Sequence, residues 1–336
     1  MSKHGDDGIS FSILPEDERE HFRLLELPRE LLQSLGSNTA LTLQFKSPQP
    51  YESGEAEAVL CTPDRTYNIK QVSTSNSVYI SQPIETAADN DGTPQSGLQA
   101  IAQSNWTLEP SLASWTGPAN WLKPRLPRYS STGTYESRDL LSKQQLFDDM
   151  PMSQGECEEA WKSLACFELS QPGGSFLPTA NAKVQAWRAI LETATASGLD
   201  LTNHFAPSKQ KPSVDHDEDC PAELVSAVLL GMTNSEGYVD EKCCVLATGL
   251  SLLESAFRLS LGDFIKQWRD SLPEPWRPHA RLDALPRTMY TLSDNGKTVT
   301  YPLQGDPGGS TTAVGNSATG SKRKWHDKFR ESKKSA

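Results

Sequence analysis

Residues 58–80 read AVLCTPDRTYNIKQVSTSNSVYI, and they decide the fold of the N-terminal part of the chain. Apolar and β-branched residues predict strands at 56–61 and 66–72. The four residues between them, Thr62-Pro63-Asp64-Arg65, predict a tight turn, because proline and aspartate favour turn positions. The stretch therefore predicts a β-hairpin.

Few other strands surround this hairpin. Residues 22–27 and 40–45 predict strands on either side of a short helix at 29–35, and 77–80 predicts one more strand. Residues 81–97 are poor in apolar side chains and predict a loop or linker. So few strands cannot easily bury both faces of a sheet. Their exposed edges need a cover, for which a partner chain is one candidate.

The middle of the chain predicts a first winged-helix-like set of elements. Apolar residues near 140–147 follow helical spacing, and Ser153 with Glu156 forms a capping-box pattern before the next helix. Two short strands are predicted around Gln171-Pro172-Gly173-Gly174, and 181–195 predicts another helix.

A second set of this kind follows an acidic stretch. Three apolar-faced helices precede two strand-like runs around Asn295-Gly296, a dipeptide that adopts the positive φ angles of a hairpin turn. The predicted helices are 222–232, 241–256 (capped by Asp240) and 262–272 (capped by Ser260), and the predicted strands are 289–292 and 298–303.

These patterns together predict an α+β protein of several parts. The N-terminal β-rich module would be completed by partner chains, and two winged-helix-like domains and a basic disordered tail would follow it. The predicted domains are a partner-binding module at 1–80, a linker with a Trp/Pro-rich connection at 81–135, winged-helix-like domains at 136–206 and 220–303 with an acidic linker at 207–219 between them, and a flexible basic tail at 304–336.

Charge is distributed unevenly along the 336 residues. The net charge is −11, yet from Arg258 onward the sequence has 14 Lys and Arg against 8 Asp and Glu, whereas the first 257 residues have 18 against 35. An anionic partner is therefore expected at the C-terminal end. No stretch approaches the roughly 18 apolar residues of a membrane span, and the start lacks a signal-peptide pattern. The six cysteines show no paired C-x-x-C spacing, so a reduced intracellular compartment is expected.

The sequence contains no motif of a known catalytic or cofactor site, neither a P-loop, a dinucleotide-binding glycine pattern, a zincin helix nor a nucleophile elbow. The six cysteines lack metal-ligand spacing, and Cys243-Cys244 are interpreted as buried structural thiols. Residues 215–219, which read DHDED, are interpreted as a solvated loop rather than as a metal site. We expect a protein that is not an enzyme and holds no cofactor or metal.

Two groups of basic residues are candidates for DNA contact through phosphates, which would give salt-sensitive and sequence-independent affinity. Lys266, Arg269 and Lys297 belong to the second winged-helix-like domain, and a solvated charged face is the alternative interpretation for them. Lys322, Arg323 and Lys324 belong to the basic tail, where the same cluster also fits a nuclear import signal.

Two separated motifs resemble the defective-in-sister-chromatid-cohesion family in its fungal form. Residues 58–80 resemble a family signature in which a strand ending A-V-L-C is followed by a K/R-T-Y hairpin and a T-S-N run. FRLLELPRELLQSL at 22–35 resembles the strand and helix before it, and the likeness continues through 136–195 and 259–273 into the RKW motif at 323–325. Longer relatives continue into a third winged helix, whereas this sequence ends 11 residues after RKW.

The resemblance implies a non-catalytic subunit of the chromosome-transmission-fidelity form of replication factor C, an alternative clamp loader that acts in the nucleus on chromatin at replication forks. The implied partners are the large subunit, through its C-terminal tail, a small accessory subunit, the catalytic subunit of DNA polymerase epsilon, DNA, and, through the loader, the sliding clamp PCNA. We expect Thr66, Tyr67 and Ile69 on strands paired with these partners. A free-standing winged-helix DNA-binding regulator is the alternative.

Overall fold

The structure is a computed structural model, and it describes residues 9–37, 41–47, 58–86, 95–113, 117–130, 132, 134–135, 139–209, 220–293 and 295–302. The chain has the mixed α+β composition expected, with a β-rich N-terminal region followed by several helices. The elements in chain order are β1 (Ser10–Ile13), β2 (Leu24–Leu25), α1 (Arg29–Ser37), β3 (Gln44–Lys46), β4 (Val59–Cys61), β5 (Thr66–Thr86), β6 (Gln95–Leu112), α2 (Pro118–Arg125), β7 (Arg128–Tyr129), α3 (Lys143–Asp149), α4 (Gln154–Leu164), β8 (Phe167–Glu168), β9 (Ser175–Pro178), α5 (Ala180–Ala196), α6 (Ala222–Gly231), α7 (Glu241–Ala256), β10 (Arg258–Ser260), α8 (Leu261–Asp270), β11 (Thr291–Ser293) and β12 (Thr298–Thr300). Short 3-10 helices lie at Glu16–Glu18, Glu274–His279, Leu282–Ala284 and Arg287–Met289.

The N-terminal sheet has the strand order β1-β6-β5-β4-β3, and β2 also pairs with β6. The predicted hairpin is confirmed: β4 and β5 are antiparallel, and the Thr62 N–H donates to the Arg65 carbonyl across the predicted turn at 2.9 Å. The β5–β6 pair is the longest feature of the sheet. At roughly 3.3 Å per residue its strands reach about 60 Å or more.

One sequence prediction about this region is correct only in part, and another is wrong. The strand at 77–80 is not separate but belongs to β5, which continues past an irregularity between Ser73 and Val78. The loop at 81–97 is instead the distal part of β5 and the start of β6, except for 87–94, which lie outside the described residues. These strands are rich in Ser, Gln and Thr and bury few side chains, so they lack the apolar alternation by which strands are recognised.

Two sections of the helical part share one topology. Each runs helix, strand, two helical segments and two strands, and in each three-stranded sheet the last strand lies in the middle. The first section comprises α2, β7, α3, α4, β8 and β9, with sheet order β7-β9-β8. The second comprises α7, β10, α8, the 3-10 helices within 274–289, β11 and β12, with sheet order β10-β12-β11. The sequence did not predict β7, β10 or α2, because the two short strands have no hairpin turn beside them and α2 contains Pro118 and Pro124, which are unusual within a helix.

The helical sections hold most of the buried core. One cluster of buried side chains runs from Tyr129 to Val299 and so joins both sections, and a second lies between α2 and α4. Within the larger cluster, a Cβ at Gly249 would lie 2.5 Å from the Trp268 ring, so α7 and α8 approach closely because this position lacks a side chain. Asp240 and Ser260 accept hydrogen bonds from helical amides as predicted N-caps.

The β-rich module has a much smaller core. Its cluster of buried side chains consists of Leu31, Leu60 and Tyr67, with partly buried leucines and Ile69 around them. The five boundaries between the six predicted segments stay predictions, and residues 210–219 of the acidic linker at 207–219 and all of the tail at 304–336 lie outside the described residues.

Candidate functional site

The distal part of β5 is an edge strand in the described part of the sheet. Pairing with β4 covers only Thr66–Asn68, whereas pairing with β6 continues to Thr86. Large apolar side chains lie exposed on this arm, which we define as residues 69–86 of β5 with 95–110 of β6 and β1. They are Phe11, Ile13, Val78, Tyr79, Leu98 and Trp106, and Trp106 is 52% exposed.

The three predicted partner-binding residues lie at the base of this arm. Thr66 and Tyr67 are 3% and 5% exposed, and Ile69 is partly buried beside the small core. Tyr67 is paired on both sides within the chain, with Leu60 of β4 and Leu112 of β6. Partner contact at these residues stays a prediction, since their present neighbours all belong to this chain.

Thr66 also joins the β module to α4. The Ser153 hydroxyl accepts the Glu156 N–H at 3.3 Å, as the predicted capping box requires. The reciprocal bond, however, is made by Thr66 Oγ1, which accepts the Ser153 N–H at 2.8 Å. The Glu156 carboxylate instead accepts hydrogen bonds from the Thr66 and Ser153 hydroxyls at 2.5 and 2.6 Å. The predicted box is therefore half correct, because a strand remote in sequence supplies the second acceptor.

Further contacts reinforce this junction. Lys46 Nζ donates to the carbonyls of Met152 at 2.9 Å and Phe147 at 3.4 Å, which lie just before α4 and in α3. The Gly155 N–H donates to the Pro63 carbonyl at 2.7 Å. Satisfied buried polar groups of this kind fix one arrangement of the two parts.

Three of the six predicted DNA-binding residues meet at one surface depression. Lys266 and Arg269 on α8 and Lys297 in the β11–β12 turn are all exposed and line it together. The depression has a volume of about 670 Å³, and among the described residues that line it Asp270 is the one carboxylate. Pairing of β10 with β12 brings the turn to α8, and the Leu261 N–H donates to the Lys297 carbonyl at 2.8 Å. The arrangement of the three cations around this depression suits contact with an anion.

Lys322, Arg323 and Lys324 lie outside the described residues, so the structure places only half of the predicted basic set. Sequence reasoning missed the apolar residues of the arm, whose signal was the unusual presence of Trp, Tyr and Leu in an otherwise polar stretch. It also did not consider Arg277, which is exposed on the 3-10 helix at Glu274–His279.

Burial governs the cysteine chemistry. Desolvation raises the pKa of Cys157 and Cys166 to about 12, and it also raises that of Cys61 and Cys244. These thiols stay protonated near neutral pH and are poor nucleophiles. In the part of the chain that the structure describes, no group of three or more His, Cys, Asp or Glu could hold a metal ion. No helix among these residues is long and apolar enough to cross a membrane.

An open strand edge with apolar side chains, together with a separate basic depression, is typical of a binding subunit. The family model of the sister chromatid cohesion protein Dcc1 matches residues 22–304. The chain belongs to this family.

Membership gives the chain a role in sister chromatid cohesion linked to the alternative clamp loader, in a family of non-catalytic accessory subunits. A nuclear role follows from the part that cohesion and replication proteins play. The match covers both the β-rich module and the helical sections, so the resemblance seen in the sequence is confirmed.

Proposed function

We propose that this chain is an adaptor of the alternative clamp loader that binds two loader subunits through its β arm and DNA through its second helical section. The large subunit's C-terminal tail and the small accessory subunit complete the sheet. The assembly links the loader to the catalytic subunit of DNA polymerase epsilon at nuclear replication forks. ATP hydrolysis and clamp handling belong to other subunits.

The open edge of β5 supports this proposal most directly. An isolated two-stranded ribbon is marginally stable, and a long edge bearing apolar side chains is a template for pairing with another chain. The module's own core of Leu31, Leu60 and Tyr67 is too small to offset this exposure. Strands from partner chains would satisfy the edge and bury Val78 and Tyr79.

The repeated topology supports contact with DNA. Helix, strand, two helical segments and a strand pair, with the last strand in the middle of the sheet, is the order of elements in a winged helix, and in the second section three short 3-10 helices take the place of the second helical segment. In the second section, Lys266 and Arg269 lie on the helix after the first strand, and Lys297 lies in the wing. Helix-turn-helix proteins contact phosphates from the corresponding helix, so these cations would hold the DNA backbone.

Binding of the partner subunits to an arm variant tests the proposal. Val78→Asp with Tyr79→Asp puts two charges where the partner strands would lie, while both side chains are exposed in the free chain. We expect affinity for a complex of the small subunit and the large subunit's C-terminal tail to fall about thirtyfold or more, as for loss of an interface hot spot.

The matched control is Leu230→Asp with Leu246→Asp, which changes two exposed apolar residues on α6 and α7. This variant should bind the partners as the unchanged chain does. Undiminished binding of the arm variant would refute the proposed interface. A chain that binds neither partner and selects particular DNA sequences would instead support the free-standing regulator.

A further inference from the structure

The two sections of equal topology differ at the position where helix-turn-helix proteins read DNA. In such proteins the N-terminal end of the second helix of the motif contacts base edges. In the first section that helix is α4, which begins at Gln154. In the second section the 3-10 segment within 274–289 takes its place. The surfaces around these two positions can therefore be compared directly.

We infer that the N-terminal end of α4 is the docking site of the β4–β5 turn, and we call this contact the socket. Because the turn occupies this end of the helix, contact with nucleic acid is left to the second section. This inference rests on the proposed binding of DNA by a winged helix. It assigns the first section a different task, which is to hold the base of the partner-binding arm. The inserted turn at 62–65 lies within the segment 58–80 that resembles the family signature.

Backbone contacts occupy the end of α4. The Gly155 N–H donates to the Pro63 carbonyl at 2.7 Å. A Cβ at Gly155 would lie 3.1 Å from both that carbonyl oxygen and the Asp64 Cα, so the turn sits against the helix with no space for a side chain. A base edge or phosphate cannot reach the same amide while the turn is in place.

Side chains close the rest of this end. Thr66 Oγ1 accepts the Ser153 N–H, and the Glu156 carboxylate is engaged by the hydroxyls of both residues. Thr66 is the first residue of β5, so the strand that leaves the socket is the one that forms the arm. A change in the socket would therefore act on the direction of the arm.

The charges at the two positions also favour contact with nucleic acid in the second section rather than in the first. The α4 helix carries Glu156, Glu159 and Glu158, the last of which pairs with Lys143 at 2.7 Å, and its Lys162 donates to the Asn234 carbonyl at 3.1 Å. Carboxylates at this place repel phosphates. The corresponding segment of the second section exposes Arg277, Arg281 and Arg287 against Glu274 and Asp283. Of these cations, Arg277 and Arg281 each donate one hydrogen bond, from Nε, to a backbone carbonyl at 3.2 and 3.0 Å.

Hydrogen exchange at single amides tests the socket in the complete chain, with and without a short duplex DNA. We expect DNA to slow exchange in α8 and in the turn at 295–297 and to leave the Ser153 and Gly155 amides unchanged. Thr66→Val should speed exchange at Ser153, and Gly155→Val should speed it at residue 155. Each effect should be about tenfold, the factor that about 1.4 kcal/mol of lost local stability gives.

Gly262→Val is the matched control, because Gly262 is the second residue of α8 as Gly155 is of α4, and a Cβ there meets no atom within 4 Å. It should leave exchange at Ser153 and Gly155 unchanged. DNA-dependent protection of the α4 amides would overturn the inference while leaving DNA binding intact. Exchange at Ser153 and residue 155 that is unaffected by both socket variants would overturn it as well. Absence of DNA protection anywhere would instead count against the proposed DNA contact.

Discussion

Burial of single residues decides their chemistry more than their identity does. Cys166 is 2% exposed between the first section's helices and sheet, and desolvation raises its pKa to about 12, although nearby Lys183 opposes the shift. A thiol in an unfolded chain loses its proton near pH 8.5. Cys166 therefore couples folding to proton binding in alkaline solution.

The sign of this coupling follows from linkage. Above about pH 8.5 the unfolded state releases the thiol proton while the folded state keeps it, so this one group lowers the free energy of unfolding by about 1.4 kcal/mol per pH unit up to about pH 12. We expect Cys166→Ala to remove that part of the slope between pH 9 and 10.5 in urea unfolding with reductant present.

The comparison is internally controlled. Tyr301, whose pKa burial raises, titrates in both proteins and cancels from the difference between the two slopes, which reports the thiol together with its coupling to Lys183. Loss of packing at the alanine lowers stability at every pH alike. Parallel pH profiles for the two proteins would show that Cys166 ionises as readily in the folded state.

At the scale of elements, the sequence correctly predicted the helices whose buried side chains recur with helical spacing. The helix expected at 241–256 is α7 with the same bounds, and the helix expected at 262–272 is α8 within two residues, because Phe264 and Trp268 bury one face. The turn at 62–65 was correct because proline and aspartate restrict the backbone locally. The distal arm was missed because its strands are held by backbone pairing while both faces stay largely exposed.

The candidate sites, like the elements, could be predicted from the sequence only in part. Residue type alone suggested Lys266, Arg269 and Lys297, but only the pairing of β10 with β12 brings the turn to the helix. No local pattern showed that Thr66 would cap α4, because the hydrogen bond joins Thr66 to Ser153, which lies 87 residues further along the sequence. Contacts of that range depend on the tertiary fold and cannot be derived from periodicity.

The depression between α8 and the β11–β12 turn should act as one electrostatic unit. Neutralising Lys266, Arg269 and Lys297 together with Ala removes up to three phosphate contacts. We expect weaker binding of a short duplex and a slope of log affinity against log salt that is smaller by about 2 to 3, at about 0.9 per phosphate contact. Fluorescence anisotropy over a salt series measures both quantities.

The control carries Arg23→Ala, Arg29→Ala and Lys209→Ala, which remove three exposed cations outside the second section. Its net charge matches that of the test variant, so a general effect of charge would appear equally in both. An unchanged salt slope in the test variant would place the DNA contacts elsewhere on the chain.

At the scale of the whole molecule, the structure combines a well-packed helical part with a weakly supported arm. The largest core cluster joins both helical sections, whereas the β module has three residues in its own cluster. Local stability follows such differences in burial, so the arm is expected to open more often than the helices. A partner that covers the β5 edge would remove this imbalance, and assembly would then be visible as local protection.

Trypsin can measure that protection at a single bond. Lys70 is exposed on the open part of β5 and is the one Lys or Arg between Arg65 and Lys123 in the sequence, so a cut within the arm reports its opening. We expect cleavage after Lys70 in the free chain to slow at least about tenfold when the small subunit and the large subunit's tail are bound, because the cut requires local unfolding. Cleavage after the exposed Lys209, beyond α5, serves as the internal reference and should keep its rate. If the partners bind while cleavage after Lys70 keeps its rate, they do not cover this edge, and the apolar side chains of the arm must serve another contact.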